Sequence, residues 1–265
     1  MSYFPAGALV GLFVAAAALT GGRMASLPAP APAPPVTASP VPVVVELFPS
    51  EGCSSCPSAD AVLRDLKNAQ SIAGVEVRAL GQHVDYWNRP GWKDPFSSAQ
   101  LTARQRQYAE APGAGTYTPQ AVVNGQTELV GAQRGQLTAA IARVARAPRT
   151  TVALSRSGAR ALAVQASALP AGTRPTEALV ALTESGLSTK VKRGENGGRI
   201  LQHASVVRAL RELGPVGSDG TFSATIPLDL AADWPAGHLR AVVLVQERES
   251  RRIVGAGALL LGAAN

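Results

Sequence analysis

The run Val43-Val44-Val45-Glu46-Leu47-Phe48 is almost continuously apolar and rich in β-branched residues, the pattern of a strand covered on both faces of a sheet. Behind Pro57 and Ser58 the apolar residues switch to helical spacing at Ala61, Val62, Leu63 and Leu66. Proline suits a first helical turn, because the N–H it lacks would be unpaired there. Val75 to Leu80 alternates as a second strand and delivers Gln82-His83-Val84-Asp85-Tyr86-Trp87 into a loop that continues through Gly91-Trp92-Lys93-Asp94-Pro95-Phe96. A helix capped by Ser97 or Ser98 then runs to about Glu110 with Leu101 and Tyr108 on one face, and Pro112, Gly113 and Gly115 end it. Thr118 to Val123, Asn124-Gly125 and Gln126 to Val130 give the strongest hairpin signal in the chain. After Gly131 a last helix carries Leu137, Ile141 and Val144.

From Thr150 the period changes to strands alone: Thr150 to Leu154, Ala161 to Ala166, Ala178 to Thr183, Thr221 to Ile226, Leu239 to Gln246 and Arg252 to Leu261, with Glu247 to Arg252 as a hairpin tip. The pattern predicts an α/β unit over 43–148 and an antiparallel β-sandwich-like domain over 149–265. Arg193-Gly194-Glu195-Asn196-Gly197-Gly198-Arg199 reads as an exposed, flexible loop. It lacks the Lys-Ser/Thr ending of a phosphate loop, which excludes nucleotide binding there.

Two segments precede these units. Ala6 to Leu19 is a run of 14 residues without a charge, short for a membrane span at about 20 residues and of the length of a secretory leader. Residues 1–25 are therefore expected to be a signal peptide or an uncleaved N-terminal anchor, which would place the body in the periplasm or outside the cell. Residues 26–42 alternate Pro and Ala, a composition that favours an extended spacer.

With 46% hydrophobic residues in 265, the chain can build a packed body. Its net charge of +7 is spread as +1, +2 and +4 over residues 1–42, 43–150 and 151–265. Scattered arginines and 5% aromatics do not make the clustered basic face of a nucleic-acid binder.

The two cysteines stand in one tetrapeptide, Cys53-Ser54-Ser55-Cys56, at the start of the first helix. Unpaired N–H groups and the helix dipole there favour a thiolate, the nucleophilic form. Cys53, further out, would attack, and Cys56 would resolve the mixed disulfide. The alternative is a purely structural disulfide. No second cysteine pair exists to complete a structural zinc site.

The order β-helix-β-helix-β-β-helix, with CxxC after the first strand and Thr118-Pro119 opening the hairpin, resembles the thioredoxin superfamily. More narrowly, Val44 to Phe48, Glu51 to Pro57, His83-Val84-Asp85-Tyr86-Trp87, Tyr117-Thr118-Pro119-Gln120 and Arg193-Gly194-Glu195-Asn196 are similar to the exported thioredoxin-like family catalogued as domain of unknown function 1223. The resemblance implies a thioredoxin-like fold, an oxidised or reducible CxxC, and a cis-proline at Pro119 facing the cysteines and binding substrate backbone with Thr118, while the family's substrate is unassigned; thiol-disulfide exchange at the pair would call for a protein or small thiol/disulfide substrate and a redox partner protein. It implies no cofactor. Gly52 stands where an aromatic usually precedes the first cysteine, and Ser54-Ser55 replace the usual Gly-Pro.

His83, with Asp85 orienting it, is a candidate to hold Cys53 as a thiolate or to join both sulfurs as a copper ligand. Tyr86 and Trp87 beside it read as loop anchors or auxiliary site residues. His203 and His238 read as structural histidines, and Asp94 with Lys93 or Arg89 as a solvated surface pair. Three functions follow: thiol-disulfide exchange, copper handling through Cys53, Cys56 and His83, or a non-enzymatic scaffold braced by a disulfide.

Overall fold

The computed structural model describes residue 1 and residues 39–69, 72–88, 91–110 and 115–262. The leader, most of the Pro/Ala spacer, Arg89, Pro112 and Gly113 lie outside the described residues. An eight-stranded mixed sheet organises the rest. Its first half comes from β1 (Val41–Phe48), β2 (Val75–Gly81), β3 (Gln120–Val123) and β4 (Thr127–Val130); its second from β7 (Thr176–Glu184), β10 (Val206–Pro215), β12 (Leu239–Glu247) and β13 (Ile253–Leu260). The strand order is β13-β12-β7-β10-β2-β1-β3-β4. β1 runs parallel to β2 and antiparallel to β3.

The residues explain the order. Val43, Val44, Val45, Leu47 and Phe48 are buried, as a strand with neighbours on both sides and cover on both faces requires. Asn124 and Gly125, both at positive φ, make the tight turn of the β3–β4 hairpin. One face of this half is packed by α1 (Cys56–Ala69) and α3 (Arg134–Val144), whose Ala59, Leu63, Leu66, Leu137, Ala140 and Ile141 cluster with Val43, Val45, Leu47, Val77 and Val123. α2 (Ala99–Ala109) is capped by Ser98, whose hydroxyl accepts from Leu101 N. Its buried face is more polar than the sequence predicts, with Arg104 and Gln105 beside Leu101.

The chain after residue 149 divides its strands between two layers. β5 (Thr151–Arg156), β6 (Ala161–Ser167) and β11 (Phe222–Pro227) form a second antiparallel sheet. Leu162, Val164 and Ile226 from it meet Val180, Leu182, Leu239 and Val243 of the large sheet, the expected sandwich-like packing. The opposite layer of that sandwich is the large sheet itself, so the two units expected on either side of residue 149 share one sheet. β10 makes the join: it pairs with β7 along its length and meets β2 at Val206 and Gly81. β8 (Ser188–Lys190) and β9 (Ile200–Gln202) form a small ribbon whose connection reaches the cysteines.

Candidate functional site

β1 ends at Phe48, and the chain turns through Pro49 to Gly52 into Cys53. Cys53 N donates to Ser50 O and Cys56 N to Cys53 O, 3.2 Å each, and Cys56 opens α1. Cys53 and Cys56 form a disulfide with their Cα atoms 5.5 Å apart. The expectation that Cys53 stands further out is corrected: the two residues are only 2% and 1% exposed, while Ser54 and Ser55 between them are exposed.

The connection between β8 and β9 is bonded to this loop. Asn196, fully buried, donates both amide protons into the cysteine loop, to Glu51 O and Cys53 O at 2.9 Å each. Glu195 accepts from Ser54 N at 3.0 Å, and the Ser54 hydroxyl together with that N–H holds its carboxyl below the usual range. The segment read as flexible and exposed is thus fastened at its centre, since only the side chains around Asn196 face solvent.

Glu51 is buried and bonded on every side. Its N–H donates to Asp94 Oδ2 at 2.8 Å, its Oε2 accepts from Trp92 Nε1 at 2.6 Å, and its Oε1 lies 3.0 Å from His203 Nε2. The second ring nitrogen of His203 stands 3.5 Å from Asp60 Oδ2, an ion-pair distance, and Asp60 Oδ1 accepts from Ala204 N. Burial alone would make this imidazole easier to deprotonate. Hydrogen bonds and charge from Asp60 and Glu51 outweigh it and hold His203 protonated up to about 9.

His83 lies beside this group rather than with Asp85. Its Nδ1 is 2.7 Å from Asp94 Oδ2, its ring packs 4.8 Å from that of His203, centre to centre, and Phe96 stands edge-on to both. Asp85 instead accepts from the Thr102 hydroxyl at 2.6 Å. Asp94 is corrected from a surface residue to a buried one; burial would raise its proton affinity, but His83 and the backbone donors Glu51 and Phe96 hold its carboxyl low. Among the described residues no group of three or more His, Cys, Asp or Glu side chains is arranged to hold a metal ion.

Trp87 links the cysteine loop to the hairpin. Its backbone O and Cβ would lie 3.1 and 3.2 Å from a Cβ at residue 52, so Gly52 leaves the space that Trp87 fills. Its Nε1 donates to Thr118 Oγ1 at 2.8 Å. The Thr118–Pro119 peptide is cis. Tyr86 is 39% exposed on the same loop, and His238 lies away from the site in a 3-10 turn, Ala236–His238.

Of the residues singled out from sequence, the structure gathers Cys53, Cys56, His83, Trp87 and Thr118-Pro119 at this end of the sheet. Sequence reasoning missed the roles of Glu51, Asp60, Asp94, Glu195, Asn196 and His203. The Arg193 to Asn196 motif was a visible signal for two of them, while His203 differs in no local feature from a packed core histidine. No helix of the described residues is long and apolar enough to cross a membrane.

A crystallised protein from Agrobacterium tumefaciens, AGR_C_4864, is 28% identical to this chain, with a TM-score of 0.69 over 86% of this chain and 98% of its own. A domain of the outer membrane lipoprotein Omp28 from Porphyromonas gingivalis is 11% identical, with a TM-score of 0.25 over 43% of this chain and 88% of its own. No curated protein matches. The family model described as "Protein of unknown function (DUF1223)" matches residues 44–246, and the chain belongs to that family.

Proposed function

We propose that this is an exported protein of thioredoxin-like fold that exchanges thiols and disulfides at Cys53–Cys56. The observation that carries the reading is the disulfide's place, in the turn that opens α1 at the end of a central parallel strand. Ligands of open α/β sheets bind at that strand end, and a helix N-terminus stabilises the thiolate that opening produces. In the exchange a substrate thiolate bonds to one sulfur while the Cys53–Cys56 bond breaks, its electron pair leaving with the other. The substrate's second thiolate then attacks the mixed disulfide, so the substrate leaves oxidised and both cysteines stay reduced. The run in reverse reduces a substrate disulfide. Thr118 and Pro119, tied to the cysteine loop through Trp87, offer the surface on which a substrate backbone is held. Export rests on the uncharged run Ala6 to Leu19.

The burial of both sulfurs favours a second reading, in which the disulfide braces the loop of a binding protein. The reduction potential separates the two. Equilibration in glutathione or dithiothreitol buffers, with free thiols counted by mass, is expected to give a value between about −120 and −270 mV, the range of working oxidoreductases. A value below about −300 mV overturns the exchange reading in favour of the brace.

A further inference from the structure

Glu51, Asp60 and His203 are 1%, 4% and 3% exposed, and they come from three separate segments: the turn before Cys53, the second turn of α1 and the connection after β9. Replacing such a buried charged triad by apolar side chains is often neutral or stabilising, so packing alone does not account for it. Its placement does. Glu51 stands two residues before Cys53. Asp60 stands four residues after Cys56 in α1, and residues four apart on a helix share a face with their Cβ atoms about 5–6 Å apart. Charges within about 4–6 Å change how readily a neighbouring group ionises. While the disulfide is closed neither sulfur carries charge, and the two carboxylates oppose nothing. Opening it releases a thiolate on the loop that carries Glu51 and on the helix face that carries Asp60, where two carboxylate charges disfavour it unless a cation is held between them.

His203 is placed as that cation, 3.0 Å from Glu51 Oε1 and 3.5 Å from Asp60 Oδ2. We infer that His203 is a positioning residue for exchange at Cys53–Cys56, whose imidazolium offsets Glu51 and Asp60 so that the sulfur released on opening stands as a thiolate. The inference rests on the exchange reading and adds to it a group supplied by the second half of the chain. His83 packs against the same imidazole, Asp94 accepts from the N–H of the same Glu51, and the cations Arg64 and Lys67 line the cavity that His203 borders. The exchange step needs no reactant beyond the substrate thiols: the leaving sulfur carries the electron pair and negative charge of the broken bond until it attacks again or takes a proton.

Ultraviolet thiolate absorbance of the chemically reduced protein, followed against pH, tests this. His203→Gln is expected to lower the thiolate fraction at pH 7 about tenfold, the effect of one unit of altered ionisation, and Asp60→Asn added to it should restore most of the loss. Asp60→Asn alone removes one of the two opposing charges with nearly the same shape and leaves Glu51 in contact with the His203 ring; it should raise the thiolate fraction, and it decides the matter if His203→Gln does not fold. An unchanged titration in either folded variant overturns the inference. The titration is made on reduced protein without substrate. A disulfide below about −300 mV would therefore sink the exchange reading while leaving the role of His203 to be judged separately.

Discussion

His203 shows how two neighbours decide the behaviour of one side chain. Alone in the core, an imidazole would be neutral, because burial penalises the charged form. Two carboxylates reverse that and hold it protonated up to about 9, against about 6.5 in an unfolded chain. Between those values the folded state binds a proton that the unfolded state does not. The stabilisation is therefore complete below about pH 6.5 and is lost as pH rises through about 9. Two and a half units correspond to about 3 kcal/mol. Urea unfolding of the disulfide-bonded protein should show stability falling by about that much between pH 6.5 and 9.5, with the slope removed in His203→Gln. The same slope in that variant would assign the loss to other groups.

At the level of elements, the β8–β9 connection matters more than its composition promises. Arg193 to Arg199 has the glycines of a mobile loop, and Gly194 and Gly198 do take positive φ. Yet Gly197 N donates to Gly194 O and Gly198 N to Val191 O, which folds the segment into a tight turn that drives Asn196 inward. Asn196→Ala would leave Glu51 O without that donor and Cys53 O with Cys56 N alone. A loss of about 2 kcal/mol is expected, together with faster reduction of the disulfide by dithiothreitol, since Asn196 holds the backbone on which Cys53 sits. An unchanged reduction rate would show that the connection does not control access. What was legible here was local. Val43 to Phe48 announced a buried strand, Asn124-Gly125 a hairpin and the pair Ser97-Ser98 a cap, which Ser98 supplies, because each depends on a few adjacent residues. β10 was not legible: Val206-Val207-Arg208-Ala209-Leu210-Arg211-Glu212-Leu213 mixes periods, and the register shifts at Val207/Ala209 and Glu212/Gly214 explain why no alternation survives. The site failed for a related reason. Cys53-Ser54-Ser55-Cys56 declares itself within four residues, whereas Glu51 and His203 meet across 152 positions, and only the sheet brings them together.

The same long-range closure runs through residues 39–262 and packs the two halves on one sheet. Val44, Leu80 and Leu101 from the first half share a cluster with Ala181, Val207, Val242, Leu244 and Ile253 from the second. At its edge a polar network crosses the same boundary. Glu46 on β1 is fully buried and takes a two-pronged contact from Arg104, at 2.6 and 3.1 Å, and the hydroxyl of Tyr108. Arg104 also donates to Gln246 on β12, which donates back to Tyr108 at 3.1 Å each. A carboxylate in that position is tolerable only while its cation is in place, because a buried charge left unpaired costs about 3–5 kcal/mol. α2 supplies the cation, and α2 is held there partly by the second half. Residues 39–148 on their own would expose Val44, Leu80 and Leu101 and loosen the partner of Glu46. The fragment is therefore expected to show no cooperative unfolding transition, while residues 39–265 should unfold in a single one, with tryptophan fluorescence and far-ultraviolet dichroism coinciding. Two separated transitions in residues 39–265, or a stably folded 39–148 fragment, would mean that the shared sheet joins two bodies that fold independently.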